Sequence, residues 1–181
     1  MGFRHALIIA AVLSAPLCPA AEEGALEIQQ RIKAAFLYKF AGYVEWPPGA
    51  FAQPESPIVI GVAGAEGIAR ALEQTVAGRK MGERPLQVRR LARGEKPADC
   101  CHILFVGGSE RRAAEELLAS VQARPALTVT EAEAGQPRGS VINFLMLDNR
   151  VRFDISREAE EHNGLQLRSQ LLAVARQVVT R

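Results

Sequence analysis

The sequence predicts an α/β fold, a single layered domain with helices packed on a mixed sheet, a C-terminal β-hairpin and a long N-terminal amphipathic helix. Three observations carry this expectation. Short apolar runs rich in β-branched residues, at 58–63, 101–106 and 126–130, alternate with stretches of helical period. Residues 141–147 and 150–155 read as strands joined only by Asp148 and Asn149, which tolerate left-handed backbone. Ahead of these, Ile28, Ile32, Phe36, Phe40 and Tyr43 recur at three- and four-residue steps. That spacing predicts an amphipathic helix over 26–44, stopped by Trp46, Pro47, Pro48 and Gly49.

The remaining elements follow in order. A loop rich in Pro and Ala leads to the strand at 58–63, and residues 64–67 turn the chain into a helix ending near Gly78. Residues 86–91 form a weaker strand with charged alternate positions, which places it near an edge. The nearly all-apolar run 101–106 reads as a central strand. Gly107, Gly108 and Ser109 then supply a turn and an N-cap for a helix over 110–121, with Ala113, Ala114, Leu117 and Val121 on its face. Ser156 can cap a short helix ending at Gly164. Ser169 can cap a final helix carrying Leu171, Leu172, Ala175, Val178 and Val179.

The first residues are a short positive start followed by an apolar run of about ten residues, the length of a secretory signal core and too short to span a bilayer, which needs roughly 20. Residues 1–20 therefore read as a cleavable signal with the cut after Ala20, and residues 21–181 as one soluble periplasmic domain. A lipid on Cys18 is the rival reading, but Leu17 stands where lipidation signals want Gly, Ala or Ser. With 22 Lys plus Arg against 20 Asp plus Glu, the net charge of +2 gives no electrostatic drive toward nucleic acid.

After processing only Cys100 and Cys101 remain. Neighbours in sequence cannot staple distant segments, so the core must hold the fold. The two thiols can be buried, bonded to each other as a candidate vicinal disulfide, or paired between chains.

Catalytic and cofactor signatures are missing. Gly61, Gly64 and Gly67 lie between strand and helix, but their spacing fits neither the dinucleotide fingerprint nor a P-loop, so a tight turn is favoured. His102 and His162 lack partners at metal-site spacing. Ser109 and Ser156 are sufficiently explained as caps. Glu158, Glu160 and Glu161 read as the solvated face of a short helix. No metal, cofactor or catalytic residue is expected.

The hairpin is more informative. If Asp148 and Asn149 are its loop, Ile142, Phe144, Met146, Val151, Phe153 and Ile155 share one face. Asn143, Arg152 and Asp154 share the other, beside Val141 and Leu145. Such a polar triplet is a candidate ligand- or partner-binding site, with the Arg152 fork suited to a carboxylate or phosphate, unless Arg152 and Asp154 simply pair with neighbours.

The chain resembles the YfiR family of periplasmic proteins. The resemblance lies in Lys33-Ala34-Ala35-Phe36-Leu37-Tyr38-Lys39-Phe40 with Val44-Glu45-Trp46-Pro47, in Cys101-His102-Ile103-Leu104-Phe105-Val106, and in three C-terminal pieces. Those are Ile142-Asn143-Phe144, Arg152-Phe153-Asp154-Ile155 and Gly164-Leu165-Gln166-Leu167-Arg168-Ser169-Gln170-Leu171-Leu172. It implies a non-enzymatic repressor that binds the periplasmic part of a membrane diguanylate cyclase and keeps cyclic-di-GMP and biofilm formation low. It also implies relief by an outer-membrane lipoprotein, and a homodimer. A periplasmic receptor for a small anionic or aromatic ligand is the other class of function that fits.

Overall fold

In the computed structural model the described residues are 19–97, 101–108, 110–122 and 124–180. Of the expected signal segment only Pro19 and Ala20 lie among them. The helices are α1 (Pro19–Phe40), α2 (Glu66–Val76), α3 (Arg111–Ala119), α4 (Arg157–His162) and α5 (Ser169–Val174). The strands are β1 (Val44–Glu45), β2 (Ile58–Ala63), β3 (Lys80–Met81), β4 (Arg84–Leu91), β5 (Ile103–Val106), β6 (Leu127–Thr130), β7 (Ile142–Leu147), β8 (Arg150–Ser156), β9 (Gln166–Leu167) and β10 (Gln177–Val179).

Eight strands form a mixed sheet in the order β10-β8-β7-β6-β5-β2-β4-β3. Strands β4, β2, β5, β6 and β7 run parallel, β8 returns antiparallel to β7, and β10 is parallel to β8. Strands β2 and β5 are buried on both faces, which is why they read as unbroken apolar runs, and β6 is buried as well although Thr128 and Thr130 alternate with its apolar residues. On one face Phe105, Val129, Phe144 and Phe153 meet α1 and α2 through Leu37, Phe40, Ile68 and Leu72. On the other, α3 sets Ala114 and Leu118 on Leu104 and Val106. Ala113, expected on the α3 core face, is exposed. Glu110 holds the N-cap position of α3, and Ser109 lies outside the described residues.

Two helical expectations need correction. The apolar line along the first helix does not hold in its first half: Leu26, Ile28 and Ile32 are exposed, while Ala34, Leu37 and Phe40 are buried. Only the last turns of α1 lie over the aromatic strands. Upstream, Gln30 packs where a side chain on Gly67 of α2 would stand. Tyr43 and Val44 leave the helix because Val44 pairs with Leu167 in the β1–β9 ladder and Arg168 donates its N–H to the Tyr43 carbonyl at 2.9 Å.

The predicted C-terminal helix divides. Arg168, not Ser169, holds the N-cap position of α5, and Ala175 leaves the helix in extended backbone. Val178 and Val179 then join β10, where β-branched side chains fit and the free edge of β8 offers hydrogen bonds. Ser156 caps α4 as expected, accepting the Ala159 N–H at 3.2 Å.

Candidate functional site

The β7–β8 hairpin closes through Asp148 (φ 49°) and Asn149 (φ 57°), the left-handed pair a two-residue turn demands. Its register sets Asn143 opposite Asp154 and Leu145 opposite Arg152. The three predicted site residues thus share a face, but they do not bond to one another. Asn143 is buried. Its Oδ1 accepts from the Thr130 hydroxyl at 2.7 Å and the Ala132 N–H at 2.8 Å, and its Nδ2 donates to the Ala132 carbonyl at 3.0 Å. Asp154 is held by both arms of the Arg176 guanidinium. Arg152 is exposed, with no carboxylate within ion-pair reach among the described residues.

A second constellation lies at the opposite, amino-terminal end of the parallel strands. His102 accepts the Val59 N–H on Nδ1 at 3.1 Å, and its Nε2 lies 3.1 Å from the Ala50 carbonyl, to which it donates. Phe51 stacks on the imidazole at 4.4 Å, Trp46 meets it edge-on at 5.8 Å, and the Arg84 guanidinium covers Phe51 at 3.6 Å. Arg84 also donates to the carbonyls of Gln53 and Ser56. This cluster fastens the Pro-rich loop to the sheet. Burial holds the imidazole below its ordinary pKa, and the Arg84 charge adds to that while the Ala50 contact opposes it. Sequence reading considered His102 only as a metal ligand. Its neighbours in the cluster come from β4 and the loop, which no local spacing reveals.

Connections leave β2 and β5 in opposite directions, toward β4 and β6. Open α/β sheets usually bind ligands at such a switch point, beyond the carboxyl ends of the strands. Here the chain fills it. Gly108 (φ +61°) lies so close to the Gly64 carbonyl that a Cβ would stand 2.7 Å from its oxygen. Glu131 crowds Gly107 and accepts Lys33 of α1 at 2.7 Å. A cleft of about 310 Å³ remains alongside, lined by Val106, Gly108, Arg111, Thr130 and Glu131. The Arg111 guanidinium on its rim already donates to the Ala134 and Gly135 carbonyls at 2.6 and 2.9 Å.

The acidic helix α4 departs from expectation at one residue. Glu158 and Glu161 are exposed, but Glu160 is buried, accepting the Leu167 N–H and the Arg157 guanidinium, each at 2.6 Å. The i, i+7 link to a β-strand backbone has no sequence signature. Cys101 is half-buried against Gly61; Cys100, its candidate disulfide partner, lies outside the described residues.

Fold and site together define an α/β protein with a parallel-centred mixed sheet. Among the described residues no group of three or more His, Cys, Asp or Glu could hold a metal ion, and no helix is long and apolar enough to cross a membrane. The chain belongs to the YfiR/HmsC-like family (DUF4154), whose model matches residues 30–176.

Two solved structures are similar at low identity. One is a conserved domain protein from Vibrio cholerae O1 biovar eltor str. N16961, with 13% identity and a TM-score of 0.47. The other is an ABC domain in complex with L-Trp from Streptococcus pneumonia, with 12% identity and a TM-score of 0.48. Each alignment covers 67% of this chain and only 55% of the solved one. No curated protein sequence matches the chain.

Proposed function

We propose that this protein binds and inhibits the periplasmic part of a membrane diguanylate cyclase, lowering cyclic-di-GMP and biofilm formation. The observation that carries the reading is the family match across residues 30–176, which includes the hairpin, the loop clamp and the switch point. The described polar side chains also favour a contact over a reaction. Asn143, Asp154, Glu160 and His102 are all engaged in holding the chain's own backbone or side chains, and Arg152 alone of the predicted triplet is left facing outward. On this reading the chain is exported, loses about 20 residues and carries no lipid. It works as a homodimer, and an outer-membrane lipoprotein can sequester it.

The test is deletion of the gene with measurement of intracellular cyclic-di-GMP. Levels rise in the deletion strain and return on complementation; an unchanged level overturns the reading. Mass spectrometry of the periplasmic fraction checks the start near Ala21, and an acylated Cys18 contradicts it.

A receptor for a small anionic or aromatic ligand is favoured by one feature, the cleft beyond Val106 and Thr130 at the carboxyl ends of the strands. A metabolite that raises the melting temperature progressively, with the logarithm of its concentration above Kd, would identify it.

A further inference from the structure

We propose that the outer face of the β7–β8 hairpin is a docking surface for a protein segment that presents carboxylates beside apolar side chains. This rests on the reading above that the output of the protein is a protein contact, and names the surface that makes it.

The two faces of the sheet are covered unequally. The face under α1 and α2 is packed from β4 to β8. On the other face α3 covers β5, and the apolar cluster it builds contains no residue of β7, β8 or β10. Beyond β6 that face turns polar at Thr128, Thr130 and Asn143, and then opens into Leu145, Leu147, Arg150 and Arg152. Leu147 is 46% exposed, and it stands directly opposite Arg150. Leu147 and the half-buried Leu145 with Arg150 and Arg152 across from them put apolar and charged groups side by side on an uncovered sheet face, the mixture that contact surfaces use.

Charge states what fits there. Arg150 and Arg152 lie two residues apart on one strand, about 7 Å along the same face. Neither has a carboxylate partner among the described residues, whereas Arg176, just ahead of β10, is taken up by Asp154. The face therefore offers two uncommitted guanidinium forks next to two leucines, and its complement is acidic and apolar. The surface is also rigid. The left-handed turn fixes the tip, six paired positions fix the register, and Asn143 locks the base to the loop after β6. Presentation on stiff strands keeps the ordering entropy of binding low. A protein occupant is favoured over an anionic lipid surface because β10 lies at the open edge of this same face, where backbone groups can pair with an extended chain but not with a headgroup.

The experiment measures binding of the full chain to the purified periplasmic domain of the membrane diguanylate cyclase whose co-deletion returns cyclic-di-GMP in the deletion strain to its low level. Arg150→Glu/Arg152→Glu is expected to weaken binding at least tenfold with an unchanged melting temperature, and Arg150→Lys/Arg152→Lys to retain most of it. Leu147→Asp is expected to weaken it as well. Wild-type affinity is expected to fall with added salt, and that salt dependence to reverse in the Glu variant, where screening relieves like-charge repulsion. Equal binding by wild type and the Glu variant overturns the surface and leaves the proposed function standing. Absence of wild-type binding overturns both. Binding of wild type, but not the Glu variant, to phosphatidylglycerol vesicles with no difference on the cyclase domain overturns the protein partner in favour of lipid.

Discussion

The carboxamide of Asn143 grips both the N–H and the C=O of Ala132, at 2.8 and 3.0 Å, and so pins the loop leaving β6 to the strand that begins the hairpin. No helix links β6 to β7, and this side chain supplies part of the ordering that a crossover helix gives elsewhere in the sheet. Asn143→Ala leaves the N–H and C=O of Ala132 without their partner, while the Thr130 hydroxyl keeps Ser140 at 2.8 Å, and lowers stability by about 2–3 kcal/mol. Asn143→Asp is at least as damaging at neutral pH, since a carboxylate cannot donate to the Ala132 carbonyl. Urea unfolding monitored by circular dichroism reads both.

The His102 clamp makes stability depend on acid. Its folded pKa lies below the ordinary value of about 6.5, so on acidification the unfolded chain takes up the proton first. The stabilisation is complete above the unfolded pKa and is lost as pH falls below it toward the folded one. Protonation also replaces the acceptor lone pair that meets the Val59 N–H with a competing donor. Melting temperature falls from pH 7 to pH 5, and Trp46 fluorescence reports release of the loop. His102→Asn, which can keep an acceptor toward Val59 without titrating, flattens that slope; a slope equal to wild type removes His102 as its origin.

Neighbouring carboxylates on α4 have opposite weights. Glu160→Ala removes the acceptor for the Leu167 amide and the partner of Arg157, and costs about 2–3 kcal/mol. Glu161→Ala stays within about 0.5 kcal/mol of wild type. Denaturant midpoints of the two variants side by side test the assignment.

The aromatic seam ties the last turns of α1 to the hairpin. Phe40 lies 5.7 Å from Phe144 and 5.3 Å from Phe153, ring to ring. Phe40→Ala destabilises by about 3–5 kcal/mol. Hydrogen exchange in the variant shows the second half of α1 losing protection first, while β2 and β5 keep theirs.

Elements with a strong local period were legible in the sequence. The hairpin register follows from Asp148-Asn149 and the alternation on either side, and strands β2 and β5 follow from their unbroken apolar runs. What escaped is what the fold decides at a distance. Ile28 and Ile32 keep the right spacing for a buried stripe, but no sheet lies beneath that half of the helix. Val178 and Val179 fit a helical count, yet the free edge of β8 draws them into a strand. In the candidate site, the common face of Asn143, Arg152 and Asp154 was readable, because alternation alone sets it. That Asn143 faces inward to Ala132 and Asp154 is claimed by Arg176 was not, since both partners are set by tertiary packing.

The seam between α1 and the hairpin also sets an order of events. Phe36 and Phe40 are made early in synthesis, and the rings that cover them, Phe144 and Phe153, follow roughly a hundred residues later. Helix α2 is made soon after α1 and can pack on it, but Phe36 and Phe40 lack their covering rings until the hairpin exists, and Val44 likewise waits for Leu167. The seam therefore closes only when the last strands arrive, and completion of the fold waits on them.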